Sequence, residues 1–322
     1  MATHLLRLGH ACDHACRYCT VADDPDPELS REEALARVDA VPKGEGLTIT
    51  GGEPTLHPDL LEIVRRAKER GLFPVDLQTH GAHLSEASSV DRLHEAGLDI
   101  ALVSVPSHDP AVYRELTGKD DLAKVLTGID TLLAAGIETN IDHVITARTY
   151  RSLPDFVDFI GKRFPRVNRI LLGMVRPNGA CAQHPELVPR LVELELFLYD
   201  ALDRLRNRHA YYEVEGVPLC YLQGYEHHNA ETQRALDAPV SYAGGKRRRD
   251  IHGFVHSRLK RKAAVCERCL LDPLCVGMWV EYAQLNGTNE LFPVFTPPDR
   301  VRERMERYYQ RWREEHRRHR SR

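Results

Sequence analysis

The sequence contains no apolar run approaching the ~20 residues needed to span a bilayer. Its opening stretch, MATHLLRLGHAC, has too short an apolar region for a secretion signal and no cleavage-site pattern, so a cytoplasmic location is expected. A charge bias is missing as well: 44 Lys and Arg face 47 Asp and Glu, a net charge of −3 that gives no global reason to expect nucleic acid. These absences argue against a membrane protein, a collagen and a secreted disulfide miniprotein. Hydrophobic residues make up 42% and charged residues 28%, enough to bury a sizeable core, and 322 residues allow one large domain plus a small one.

What is present is cysteine in clusters. Of eight cysteines, Cys12, Cys16 and Cys19 lie near one end and Cys266, Cys269 and Cys275 near the other, with Cys181 and Cys220 between. A chain of this length does not need disulfide staples, so clustered thiols read as metal ligands or redox groups in a reducing compartment.

From about residue 4 to 175, short Leu-rich or β-branched segments alternate with amphipathic ones. Strands are expected at 4–9, 46–50, 73–79, 98–105, 137–146 and 168–175. Three of the intervening helices run into Gly71, Gly97 and Gly136, as left-handed C-caps would, and Ser30 with Glu33 fits a capping box. Strand–helix repetition builds a parallel sheet. Six units are too few for a closed eight-stranded barrel; an open partial (βα)6 barrel and a doubly wound sheet both satisfy the periodicity. In either, ligand loops sit at the carboxyl ends of strands, where the first cysteines and a GGEP turn fall. The sequence divides near 208 and 298: a barrel (1–208), a small domain carrying the second cysteines (209–298), and an Arg-rich helical tail (299–322).

CDHACRYC places three thiolates on one loop, a set able to hold three irons of a [4Fe–4S] cube and leave the fourth open. A zinc site completed by His10 or His14 is the alternative. The C-x3-C-x-aromatic-C loop after a first strand, with Tyr18 at the aromatic position, and TITGGEPTLHP after the second together resemble the radical SAM superfamily. DLQTHGAHL resembles its TNG segment, with His80 in place of Asn. SVPSHDPAVYRELTG and ETNIDHVIT resemble the fourth- and fifth-strand segments. The resemblance implies a [4Fe–4S] cluster on Cys12, Cys16 and Cys19. It implies S-adenosylmethionine (SAM) chelated to the open iron and an electron from a reductant such as flavodoxin or ferredoxin. A 5′-deoxyadenosyl radical would then abstract a hydrogen atom from substrate. It further implies that Gly51, Gly52, Glu53 and Pro54 hold the methionyl ammonium, with Ser104 and Asn140 contacting the SAM carboxylate or ribose. Glu53 also reads as a helix-start carboxylate.

Cys266-x2-Cys269-x5-Cys275 resembles the core of SPASM and twitch auxiliary-cluster domains, although Trp279 stands where a full SPASM pattern has its next cysteine. One auxiliary [4Fe–4S] cluster on Cys220, Cys266, Cys269 and Cys275 satisfies the count; a four-thiolate zinc is the other reading. Cys181 then remains, as a catalytic hydrogen-atom donor, a substitute cluster ligand or a buried small residue. Arg176, at the end of the sixth strand, can meet an anionic group or form a surface ion pair. The stretches KRRR (246–249) and RLKRK (258–262) form a basic patch, and the tail carries ten arginines against five acids at helical spacing. The expected substrate is a peptide or protein, with a sugar, nucleoside or other small metabolite as the alternative. A non-catalytic zinc- or cluster-bearing nucleic-acid-binding protein is the distant rival.

Overall fold

A computed structural model describes residues 2–22, 27–208, 211–236, 240–242 and 258–320. Seven strands follow one another across a parallel sheet: β1 (Thr3–Arg7), β2 (Gly46–Thr50), β3 (Val75–Thr79), β4 (Ile100–Ser104), β5 (Glu138–Ile145), β6 (Arg169–Met174) and β7 (Tyr211–Glu215). An eighth, β8 (Val240–Tyr242), pairs parallel with β1, giving the order β7-β6-β5-β4-β3-β2-β1-β8. Neighbours in sequence are neighbours in the sheet, which is barrel winding; a doubly wound sheet would reverse direction at its centre. Edge strands β7 and β8 do not pair with each other, so the barrel is open.

The helices on the outer face are α1 (Arg31–Asp39), α2 (Leu60–Glu69), α3 (Ala87–Ala96), α4 (Pro110–Thr117), α5 (Leu122–Ala134), α6 (Leu153–Arg163) and α7 (Leu191–Arg206). The Ser30–Glu33 capping box opens α1, and Gly97 ends α3 in the left-handed region at φ 100°. The expected boundary near 208 falls inside the sheet, because β7 continues it beside β6. Among the described residues no helix is long and apolar enough to cross a membrane.

Residues beyond β7 add α8 (Ala230–Leu236), an antiparallel pair β9 (Lys260–Arg261) and β10 (Met278–Trp279), α9 (Val280–Asn286) and a last helix α10 (Pro298–Arg320). The Arg-rich tail is therefore helical, but it is also docked. Val301, Met305 and Tyr309 recur at four-residue spacing and are buried. The Tyr308 hydroxyl takes a hydrogen bond from Tyr212 N–H and donates to the Tyr212 carbonyl, covering part of the open edge of β7. The 246–249 stretch lies outside the described residues.

Under α10 sit two histidines, His228 buried and His227 half-buried. His228 stacks on Tyr212 at 3.9 Å, and His227 lies 4.1 Å from it beside Arg304 and Arg206. Burial pushes His228 down to about 4 and His227 to about 3. Both are neutral when folded and ordinary, near 6.5, when unfolded. Their contribution to stability is complete above pH ~6.5 and lost as the pH falls towards 4. For His228 alone the loss at pH 5 is about 2 kcal/mol. Urea unfolding at pH 7 and pH 5 measures it; equal stability of wild type and His228→Phe losses across that range would contradict it.

Candidate functional site

The cysteine loop sits at the carboxyl end of β1 and is held by main-chain hydrogen bonds from three sides. Gly52 N–H donates to the Gly9 carbonyl at 2.9 Å and Glu53 N–H to that of Ala11 at 2.7 Å. Ala15 and Arg17 N–H donate to the carbonyls of Thr117 and Leu116 at the end of α4, and Ala180 N–H to that of Cys19. The Glu28 carboxylate accepts from His10 and Ala11 N–H. Close approach dictates glycine at 52, where a Cβ would stand 2.2 Å from the Ala11 oxygen. The backbone thus carries the loop and leaves the three thiols for ligation.

Burial is the main cause that pushes Cys12 up to about 11 and Cys16 to about 12; Glu53 and Asp13 add to it at Cys12. Thiols in such surroundings stay protonated until a cation arrives, and a bound metal reverses this outright. The donor set fits an iron–sulfur cluster. Tyr18 turns its hydroxyl inward toward Cys16 and Ser104, so the last residue of β4 lies beside the cysteine loop.

Glu53 is buried with both oxygens engaged. One accepts from Thr55 N–H, Thr55 Oγ1 and Thr79 Oγ1; the other accepts from His80 N–H at 2.8 Å. It caps the short 3-10 turn Pro54–Leu56 and ties GGEP to the end of β3. His80, at the unusual position of the THG segment, accepts from Ala82 N–H through Nδ1, which leaves Nε2 to donate to Asp13 at 3.0 Å. Its ring stacks on His14 at 3.8 Å, and His14 reaches Asp121 at 3.0 Å. This chain of side chains beneath the loop had one sequence signal, the substitution at residue 80.

One expectation is corrected. Asn140 is not at a strand end: it is the third of eight residues in β5, buried, with its side-chain oxygen accepting from Asn168. The residue level with Ser104 is Asp142. Cys181 is fully buried in a 3-10 turn, Gly179–Gln183, its sulfur facing the His184 carbonyl at 3.9 Å and its thiol pushed up to about 11 by burial. That is the environment of the last of its three readings, a packed small residue.

Residues 6–160 match the radical SAM superfamily. Over that stretch the chain is similar to a radical SAM domain. The superfamily uses a cysteine-bound [4Fe–4S] cluster and SAM, which the loop, the GGEP turn and the open barrel accommodate. In sequence the chain is 31% identical over 210 residues to a protein of Sulfurisphaera tokodaii named probable GTP 3′,8-cyclase, covering 64% of this chain and 66% of that one. A protein of the same name from Sulfolobus acidocaldarius is 32% identical over 179 residues, covering 54% and 56%. The aligned regions thus span just under two thirds of the length of the first relative and just over half of the second. In fold, the chain superposes on anSMEcpe with bound AdoMet at a TM-score of 0.64 and 15% identity, covering 97% of both chains. It superposes on Streptococcus suis SuiB bound to S-adenosylmethionine at 0.62 and 16%, covering 91% of this chain and 76% of that one. The likeness in fold therefore continues past the radical SAM domain.

Beyond that domain, Cys220, Cys266, Cys269 and Cys275 line one small cavity with Leu219 and Phe292. Among the described residues, only Cys12, Asp13 and His80 form a trio of metal-capable side chains with ligand atoms all within 4.8 Å of one another. No three of the four cavity cysteines bring their sulfurs all within 4.8 Å of one another. Trp279 fills the place of the missing cysteine: its ring lies between Lys260 Nζ, 3.3 Å from the centroid, and the Arg176 guanidinium, 4.8 Å away. Arg176 also pairs with Glu281, and Lys260 is buried against Glu231. Neither is a surface cation, so Lys260 does not belong to a basic patch.

The barrel interior is polar. Arg169 pairs with Glu213 at 2.9 Å and Arg234 with Glu215 at 2.8 Å. Burial pushes Asp76 up to about 6 and Asp142 to about 7; Glu215 raises Asp142 further, against the lowering influence of Arg169 and Arg234.

Proposed function

We propose that the chain is a radical SAM enzyme with one auxiliary [4Fe–4S] cluster. The observation that carries this reading is the cysteine loop locked to the GGEP turn at the open barrel's carboxyl end. Cys12, Cys16 and Cys19 would hold the catalytic cluster, and Cys220, Cys266, Cys269 and Cys275 the auxiliary one. When bound, the first cluster and SAM supply one-electron cleavage of the sulfonium and a 5′-deoxyadenosyl radical that takes a hydrogen atom from substrate. The electron would come from a reductant such as flavodoxin or ferredoxin. The chain's own residues orient and shield: Gly51, Gly52 and Pro54 shape the turn for the methionyl group, Glu53 fixes that turn from behind, and Tyr18 and Ser104 line the way inward.

The substrate class we favour is a peptide or protein side chain. The described interior supports it, because Arg169 and Arg234 are already matched by Glu213 and Glu215. A nucleoside substrate is the second reading, favoured by the name of the relatives aligned over 210 residues. Anaerobic reconstitution tests the cofactor assignment. About eight irons per chain are expected, four at each site. Zinc at the cavity of Cys220 and Cys266 would overturn the auxiliary cluster.

A further inference from the structure

Asp142 is the one acid of the barrel interior placed level with Ser104, and so with the Tyr18 hydroxyl that reaches Cys16. Among the described residues its carboxylate makes no hydrogen bond or ion pair. The arginines nearest to it are committed elsewhere, Arg169 to Glu213 and Arg234 to Glu215. Beside it in the sheet is Gly173, two residues along from Leu171, the register partner of Asp142. A Cβ built on Gly173 would meet a single atom within 4 Å, Asp142 Oδ1 at 3.9 Å, so the missing side chain leaves open space next to the carboxylate. An unmatched carboxylate facing a second acid, Glu215, with room beside it, suits a positive group arriving from outside.

We propose that Asp142 and the space over Gly173 form a specificity subsite for a cationic group of the substrate, an ammonium or guanidinium such as a lysine or arginine side chain carries. The ammonium or guanidinium donates to the Asp142 carboxylate, fixing the substrate within the barrel mouth at the level of Ser104. This assignment rests on the reading of the chain as a radical SAM enzyme with a peptide substrate and names the chemistry that substrate presents. It sets Asp142 as a specificity-determining residue and places no proton or hydrogen-atom transfer on it.

The test is binding of N-acetyl-Gly-X-Gly-amide peptides to the reconstituted full chain, with X as lysine, norleucine or glutamate, followed by saturation-transfer NMR, with GTP as a fourth ligand. The lysine peptide should bind about tenfold or more tighter than the norleucine peptide, as a charge-assisted hydrogen bond warrants. Asp142→Asn should bring the two to parity. Gly173→Leu, which keeps the charge and fills the space, should weaken the lysine peptide by a similar factor and serves if Asp142→Asn does not fold. Equal binding of the three peptides to the wild type, an undiminished lysine preference in both variants, or GTP binding more tightly than the lysine peptide would overturn the subsite. A wild-type chain that binds the lysine peptide selectively yet never cleaves SAM would sink the enzymatic reading and leave the subsite standing.

Discussion

Replacing Cys12, Cys16 and Cys19 together with alanine is expected to abolish SAM cleavage and to lower iron from about eight to about four per chain. The fold should survive. The loop is held by main-chain bonds to Gly9, Ala11, Thr117, Leu116 and Cys19 itself, none of which uses a sulfur. Removing the three thiols, one exposed and two half-buried, takes from the loop only the bond from His14 N–H to the Cys12 sulfur and none that the sheet depends on. The remaining iron should sit at Cys220, Cys266, Cys269 and Cys275, whose cavity is lined by other elements. Iron analysis and circular dichroism of the variant check both halves. Retained SAM cleavage, or a loss of all iron with the fold intact, would contradict the assignment of two separate sites.

Gly52→Val should be nearly as damaging without touching a ligand. Its Cβ would stand 2.2 Å from the Ala11 oxygen and 2.4 Å from that of His10, so the GGEP turn and the cysteine loop cannot keep their present distance. Two hydrogen bonds between them are lost with it, from Gly52 N–H and Glu53 N–H. At about 1 kcal/mol each, plus the strain of the displaced loop, SAM affinity should fall by roughly thirty- to a hundredfold. Equilibrium binding of SAM to the reconstituted variant measures this. Unchanged affinity would show that the turn does not position the cofactor.

Much of the barrel could be read from residues because its signals are local. Strands of five residues between amphipathic helices, glycine after the helix ends and a capping box at Ser30 each act within a few positions. The cysteine loop was equally plain, since its three ligands lie within eight residues. Asn140 was misplaced for a nearby reason. The fifth segment was read as one strand, but which of its polar residues faces the mouth depends on register with β4, and register is a pairing between distant segments. Asp142 therefore went unnoticed although it shares a face with Asn140. The tail shows the same dependence on distant partners. Its arginines and glutamates at helical spacing identify a helix but not where it docks, while Val301, Met305 and Tyr309 among them find β7 and the turn at Glu226–His228. Burial of Lys260 beneath Trp279 could not be inferred from a run of basic residues, because its partner Glu231 lies in α8.

The most direct measurement is 5′-deoxyadenosine formation by the wild-type chain, reconstituted anaerobically with iron and sulfide and given SAM with a one-electron reductant. The account predicts reductant-dependent release of 5′-deoxyadenosine and methionine, absent from the Cys12/Cys16/Cys19 triple variant. A fully iron-loaded wild-type chain that binds SAM and releases no 5′-deoxyadenosine under any reductant would contradict it.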